Sequence, residues 1–159
     1  MTDSDFQLQG AIEICVFEGG QEVQRLRVHN KITYAGRNAF LLLLAQNALT
    51  NLASYKLVKL VPGTNNTPVT PADLGVLAPI AEDKQITLTD AAVTLNAAAN
   101  ELVITGTLPS EAGSGEVLQE AGLVLANGTL FARMTHPTTL PWAGTRSISY
   151  TWRVRAINP

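Results

Sequence analysis

The stretch EVLQEAGLVLANGTLFARMT, from Glu116 to Thr135, contains two apolar runs that are joined by Asn127 and Gly128. An Asn-Gly pair between two such runs is a strong β-hairpin signal, because a type I′ turn requires positive φ at both of its central residues. The sequence therefore predicts a type I′ hairpin centred on this pair. The cross-strand pairs expected from that turn are Ala126 with Thr129, Val124 with Phe131, and Gly122 with Arg133.

One face of this hairpin is wholly aliphatic and is expected to be buried; it consists of Leu123, Leu125, Leu130 and Ala132. Glu120 interrupts the apolar pattern and has two interpretations. It could bind a ligand hydroxyl, or it could accept hydrogen bonds from backbone N–H groups or pair with Arg133 or Arg146. Buried carboxylates are usually paired, so the structural role is favoured. Gly122 is expected to mark a bulge or a close backbone approach.

Further strands are expected on both sides of the hairpin, at residues 8–17, 22–29, 55–61, 85–95, 101–108 and 146–157. Gly19 and Gly20 join the first two strands in a second hairpin, and residues 136–145 are expected to cross over to the last strand. In that last strand the alternation is strict and places Trp152 on the inward face. The inward residues are Ile148, Tyr150, Trp152, Val154 and Ala156.

One helix is expected over residues 35–49, with apolar residues at helical spacing. Leu41 and Leu42 widen its apolar surface beyond one stripe, so we expect the helix to be buried by its sheet and by a second subunit. The alternative is that these leucines are tolerated at the surface. The predicted fold is a mainly β, antiparallel β-sandwich of about seven to eight strands with one buried α-helix. Residues 8–159 form this single domain, and residues 1–7 form a flexible or docking arm.

Composition excludes some classes of function. The chain has 159 residues, 15% charged residues and a net charge of −2, so it lacks the basic surface of a nucleic-acid-binding protein. The nearest approach to a basic cluster is Arg25, Arg27, Lys31 and Arg37, which we interpret as solvated positions. The sequence shows neither a signal peptide nor a membrane-spanning run, so a reducing, aqueous compartment is expected.

Residues that could carry chemistry do not form a recognisable site. Cys15 is the single cysteine and is expected to be a packed, inert thiol, while His29 and His136 lack metal-ligand spacing. Thr70 is expected to be the N-cap of a single helical turn, with Pro71 at its first position and Asp73 in its first turn, which gives that aspartate a structural role. Nucleophile, carboxylate-pair and phosphate-loop motifs are missing as well. The sequence therefore predicts a protein that is not an enzyme and binds no metal or cofactor.

Several motifs occur in order along nearly the whole chain. They are VHNKIT at 28–33, AGRN at 35–38 before the leucine-rich helix, TPVTPADLG at 67–75, EAGL at 120–123, GTLFAR at 128–133 and SISYTW at 147–152. Together they resemble a family of bacteriophage virion proteins of tail, collar and baseplate fibres and their prophage relatives.

This resemblance implies a structural subunit of the virion, made in the cytoplasm of the host bacterium. Its partners would be other copies of itself, as a trimer or hexamer, and other virion proteins. The relatives often continue into a fibre shaft or tip, so the resemblance favours an adaptor, a collar subunit or a decorating subunit, including one on the capsid. An alternative is a module that binds glycans on the host surface, because Trp142, Tyr150 and Trp152 could stack on sugars; core packing is the favoured role of these rings.

Overall fold

The computed structural model describes residues 7–45 and 49–157. Within these ranges the protein is mainly β, with nine antiparallel strands in one strongly curled sheet and one short α-helix. In chain order the elements are β1 (Gln7–Glu18), β2 (Gln21–Ile32), α1 (Tyr34–Leu44), β3 (Leu57–Gly63), β4 (Ile86–Thr87), β5 (Val93–Asn96), β6 (Glu101–Leu108), β7 (Glu116–Leu125), β8 (Leu130–Trp142) and β9 (Arg146–Ile157). The predicted arm at residues 1–7 lies outside the described residues, apart from Gln7 in β1.

The sheet is a half-barrel, so the predicted two-sheet sandwich is wrong. The strand order is β4-β3-β7-β8-β2-β1-β9-β6-β5, and all neighbouring strands are antiparallel. Two residue pairs, Lys31 with Arg133 and Ile32 with Ala132, join β2 to β8 and make one sheet of what would otherwise be two. The curl brings Ile86 of β4 against Gly106 of β6, where a Cβ would lie 2.9 Å from Ile86 Cγ2.

The inner face of the curled sheet holds the hydrophobic core. The alternation predicted for the last strand is confirmed, because Ile148, Tyr150, Trp152 and Val154 of β9 are buried. Leu123, Leu125 and Ala132 of the central hairpin are also buried in this core, as predicted. Leu130 is buried as well, but it lies on the other face, with its Cδ1 2.9 Å from the position of a Cβ on Gly122, so the prediction is wrong for this residue. Further core side chains come from other strands and include Ile12, Ile14, Leu60, Ile104, Leu118 and Trp142.

The central hairpin forms, but its turn differs from the predicted type I′ geometry. Gly128 has positive φ (84°), whereas Asn127 does not. The Gly128 N–H donates to Leu125 O (2.9 Å), and the Asn127 side-chain oxygen accepts from Thr129 N–H (3.0 Å). The turn is therefore one residue longer, with glycine at its left-handed position. Gly122 pairs with Arg133 as predicted, but a register shift pairs Val124 with Leu130 instead of Phe131.

The hairpin predicted at Gly19 and Gly20 is confirmed, because both glycines have positive φ (58° and 82°) and β1 pairs with β2. Residues 85–95 form β4, a 3-10 turn and β5, where one strand was expected. Residues 136–142 belong to β8, so the crossover predicted for residues 136–145 is shorter than expected. β8 is irregular there, because its pairing jumps from Glu120–Thr135 to Leu118–Leu140.

The helix is shorter than predicted, and within the single chain it packs on the sheet with one side only. It ends at Leu44 instead of Leu49, and residues Leu49–Tyr55 form a 3-10 helix. Thr33 caps its start, because its Oγ1 accepts a hydrogen bond from Gly36 N–H (2.9 Å). Ala39 faces the sheet and is buried, but Leu41 is 59% exposed and Leu42 is 37% exposed. One side of the helix therefore packs on the sheet, and the side with Leu41 and Leu42 is open in the single chain.

Candidate functional site

A buried polar cluster lies on the outer face of β7 and β8, under the loop of residues 64–79. Glu120 and Arg133 are both 0% exposed, and their side chains meet through an Arg133 Nε to Glu120 Oε2 bond of 2.7 Å. The hairpin register explains this contact. Gly122 stands directly opposite Arg133, so Glu120 is the diagonal neighbour of the arginine on the same face.

The loop supplies backbone donors to Glu120. Oε1 accepts from Ala78 N–H (2.7 Å) and from Asn65 N–H (3.4 Å), and Oε2 accepts from Leu77 N–H (3.1 Å). The structural interpretation of Glu120 is therefore confirmed in both of its forms, because the carboxylate binds backbone N–H groups and also pairs with Arg133. The expected alternative partner, Arg146, contacts Glu18 instead (3.6 Å).

Arg133 holds the same loop at two further points. Its Nη1 donates to Asp73 Oδ2 (2.8 Å) and its Nη2 donates to Thr67 O (3.1 Å). Asp73 also accepts hydrogen bonds from the backbone N–H and the hydroxyl of Thr70. The planar guanidinium, with donors in fixed directions, suits this three-way contact. The predicted helical turn with Thr70 as its N-cap is wrong, because residues 71–72 form a turn without a helix and Thr70 donates to the Asp73 carboxylate instead.

The charges of the cluster are compensated by hydrogen bonds. Burial by itself raises the pKa of Asp73, but the hydrogen bonds from Thr70 and Arg133 outweigh burial and leave this pKa below its usual range. Each oxygen of Glu120 accepts from two donors, whereas Asp73 Oδ2 accepts from two and Asp73 Oδ1 from one. These hydrogen bonds fasten the loop to the sheet.

Gly122 makes room for this loop. A Cβ at this position would lie 2.6 Å from Val76 Cγ2 and 2.9 Å from Leu130 Cδ1, so the close approach predicted for Gly122 is confirmed. The two ends of the loop are joined by Thr64 N–H to Ala78 O (2.8 Å), and just beyond the loop Ile80 N–H donates to Pro62 O of β3 (3.0 Å). These contacts make the outer face of β7 an internal surface of the protein.

His136 is a second buried polar residue, near the irregular part of β8. Its Nδ1 lies 3.1 Å from Leu118 O and donates to it, and burial lowers the pKa of His136 to about 4. The ring is therefore neutral at pH 7. Burial also raises the pKa of the adjacent Tyr150, whose ring centroid is 6.1 Å from that of His136.

The remaining predicted residues do not come together in a site. Asn127 and Gly128 lie at the exposed tip of the hairpin, and Trp152 lies in the core. Trp142, Tyr150 and Trp152 are at most 1% exposed, so these rings are not platforms for sugars in this structure. Cys15 was expected to be packed, but it is only half-buried on the outer face of β1.

Sequence reasoning missed two groups of residues. Asp73 and Thr67 contact Arg133 across 60 or more positions of sequence, and local spacing carries no signal for such a contact. Glu101, which is 1% exposed, forms ion pairs with Arg153 and Arg155 of β9. The alternation in β9 predicts that both arginines lie on the outer face. That prediction was a signal for a carboxylate on the same face of a neighbouring strand.

Among residues 7–45 and 49–157, no group of three or more His, Cys, Asp or Glu side chains could hold a metal ion. In the same ranges, no helix has the length and apolar character needed to cross a membrane. In comparisons with known proteins, the chain matches no family model, no curated protein and no solved structure.

Proposed function

We propose that this protein is a non-enzymatic structural subunit of a bacteriophage virion, which assembles as a symmetric homo-oligomer in a tail, collar or baseplate. Its role there is to act as an adaptor or attachment point for fibres, or as a decorating subunit. The motifs shared with virion proteins support the class of protein. The apolar surface around α1 is the observation that carries the assembly part of the proposal.

This surface, which we call the helix patch, consists of exposed leucines around α1 and the nearby chain: Leu41, Leu42, Leu52 and Leu95, which are 59%, 37%, 53% and 73% exposed. Beside them lies an apolar groove of about 450 Å³, which α1 shares with β5, β6 and β9. Exposed apolar surfaces of this kind mark sites of protein association.

A second copy of the chain is the partner that fits the helix patch best. Most soluble oligomers are homo-oligomers with closed symmetry, and apolar residues with few charges are typical of their interfaces. The low charged fraction of the chain, 15%, agrees with a surface that is partly covered by neighbours. The resemblance to virion proteins favours a trimer or a hexamer.

Light scattering and analytical ultracentrifugation of the purified protein test the assembly. We expect a single oligomer, and we expect Leu41→Glu to weaken association about a hundredfold, because a charge would be buried in an apolar interface. Leu74→Glu is the matched control, since Leu74 is 84% exposed in the loop of residues 64–79 and is not part of the helix patch. A monomeric wild-type protein would contradict the proposal, and so would an equal effect of both substitutions.

Mass spectrometry of purified phage particles from the source genome tests membership of the virion. We expect the protein to be present in a fixed ratio to the other tail proteins. A density map of the intact particle separates a tail, collar or baseplate position from a capsid position. If the particles lack the protein, the virion role is wrong even if the oligomer exists.

A further inference from the structure

Two cations of this protein have no ion-pair partner within the described residues. The chain has eleven Lys and Arg side chains, and nine of them form ion pairs. The other two are Lys31, at the end of β2, and Arg37, in the first turns of α1, and both are exposed. Because the other nine cations are paired within the chain, Lys31 and Arg37 are the two that remain available for a charged partner.

Lys31 and Arg37 line the same cleft. It has a volume of about 440 Å³ and lies where the ends of β1 and β2 meet the start of α1. His29 and Asn30 also line it, and its apolar part includes Leu8 and Ile32. A volume in the range of ligand pockets, about 300–1,000 Å³, is larger than a single small ion requires. We call this the basic cleft.

Asn30 is the third unusual feature of the basic cleft. Its amide lies against Gly10, where a Cβ would be 1.6 Å from Asn30 Oδ1, so only glycine leaves room for it. Both Nδ2 and Oδ1 are buried and have no hydrogen-bond partner among the described residues. Buried amides are normally hydrogen-bonded, because an unpaired polar atom is costly. The side chain can therefore turn toward a ligand without losing a bond.

We propose that the basic cleft binds an acidic peptide segment of a partner protein. Lys31 and Arg37 would bind the carboxylates, since charge-assisted hydrogen bonds to carboxylates are the strong ones. The Asn30 amide has one donor side and one acceptor side, which match the C=O and N–H of a peptide group. The apolar wall accommodates the aliphatic part of the segment. This proposal does not depend on the chain being a virion subunit.

Two of the sequence motifs contribute residues to the basic cleft and none to the buried cluster of Glu120, Arg133 and Asp73. VHNKIT at residues 28–33 supplies His29, Asn30 and Lys31, and AGRN at residues 35–38 supplies Arg37. Thr33 and Gly36 have a structural role, because they form the N-cap of α1. The cap fixes the start of the helix next to the end of β2, which brings the two motifs to one cleft.

Fluorescence polarisation with a fluorescein-labelled hexaglutamate peptide tests the proposal, with labelled hexaglutamine as the neutral probe. We expect hexaglutamate to bind, hexaglutamine not to bind, and K31Q/R37Q to weaken hexaglutamate binding about tenfold. The matched control is K59Q/R146Q, which removes the same charge from two ion-paired positions outside the cleft and should change binding less than about twofold. K31Q/R37Q should fold because both residues are exposed, and K59Q/R146Q should fold because Lys59 and Arg146 are partly exposed and glutamine keeps much of each side chain.

Asn30→Ala and inorganic phosphate separate a peptide site from a general anion site. We expect this substitution to weaken hexaglutamate binding about threefold and phosphate binding not at all, because phosphate has no peptide group. The proposal is overturned if hexaglutamate does not bind or if both double variants weaken binding equally. It is also overturned if hexaglutamine binds as well, or if phosphate displaces hexaglutamate at equal concentration, which would indicate a site for small anions.

Discussion

Replacing Glu120 with glutamine changes one buried oxygen into an NH₂ group and preserves the shape of the side chain. In the wild-type protein each carboxylate oxygen faces two donors. Oε1 faces the N–H groups of Asn65 and Ala78, and Oε2 faces Leu77 N–H and Arg133 Nε. Whichever way the glutamine amide is turned, its NH₂ group faces two donors. Glu120→Gln therefore leaves two donors without an acceptor in every orientation.

The expected cost follows from these contacts. A buried donor without an acceptor costs about 1–3 kcal/mol. Arg133, which is 0% exposed, also loses one of its two charged partners and retains Asp73. Removing one partner of a buried ion pair typically costs about 3–5 kcal/mol. We expect the free energy of unfolding to fall by about 3–5 kcal/mol, unless the loop lifts and limits the loss.

Urea denaturation with linear extrapolation measures this change, and amide exchange at Leu77 and Ala78 reports whether the loop opens locally. The matched control is Glu82→Gln, because the Glu82 side chain is 82% exposed and pairs with Lys59 at the surface. We expect the control to cost less than about 0.5 kcal/mol. A loss below about 1 kcal/mol in Glu120→Gln, with amide protection unchanged at both loop positions, would show that the cluster does not hold the loop.

Three further changes should give defined results. The pKa of His136 is lowered to about 4, below the 6.5 of the unfolded chain, so the unfolded state binds the proton first. Stability should therefore fall by up to about 3 kcal/mol between pH 6.5 and pH 4, and His136→Gln should flatten this part of the profile in urea titrations. The hydrogen bond from Lys84 is the main cause that lowers the pKa of Glu116 to about 2. The ionised Glu116 therefore stabilises the folded state above pH 4.5, and this stabilisation is lost as the pH falls toward 2. Glu116→Gln lacks this stabilisation at every pH, so its acid unfolding should have its midpoint at a higher pH. Gly122→Ala should cost about 1–3 kcal/mol in thermal unfolding because of the 2.6 Å approach to Val76, whereas Gly75→Ala, which meets open space, should be nearly neutral.

The strands were predictable where a local pattern determines them. Residues 101–108 and 146–157 are predicted and observed with the same bounds, because each alternates and is bordered by polar or turn residues. Leu123, Leu125 and Ala132 of the hairpin were predictable core residues for the same reason, whereas the register shift that pairs Leu130 with Val124 moves Leu130 to the other face. Its turn type was not, because Asn127 stabilises a longer turn through its side chain and does not adopt positive φ.

The single curled sheet could not be predicted, because it depends on contacts between distant residues. Alternation shows that a strand buries one face, but it does not show whether two buried faces belong to two sheets or to one. The pairs of Lys31 with Arg133 and of Ile32 with Ala132 decide the question, and about a hundred residues separate their members. The exposure of Leu41 could not be predicted either, because helical spacing does not show which of several apolar residues faces the sheet.

Of the contacts in the buried cluster, the one between Glu120 and Arg133 was predictable from the sequence and the one between Arg133 and Asp73 was not. Arg133 was expected as a partner of Glu120, because the hairpin register places the two residues on one face. Asp73 was assigned only a local capping role, since nothing in the loop sequence indicates that it folds across the hairpin. Lys31 and Arg37 were interpreted as solvated, and they are exposed; what the sequence could not show is that other cations have partners and these two share a cleft.

The buried cluster, the helix patch and the basic cleft are connected through the start of α1. The Thr33 hydroxyl donates to Leu130 O of β8, and Tyr34 N–H donates to Pro71 O of the loop (2.7 Å). The loop that Glu120 and Arg133 hold in place therefore also positions the first turn of the helix, and Pro71 lines the basic cleft. Loss of the cluster should thus disturb the helix patch and the cleft together, even though Glu120 lies in neither. Glu120→Gln should weaken both self-association and hexaglutamate binding at temperatures where the variant remains folded, whereas Glu82→Gln should change neither.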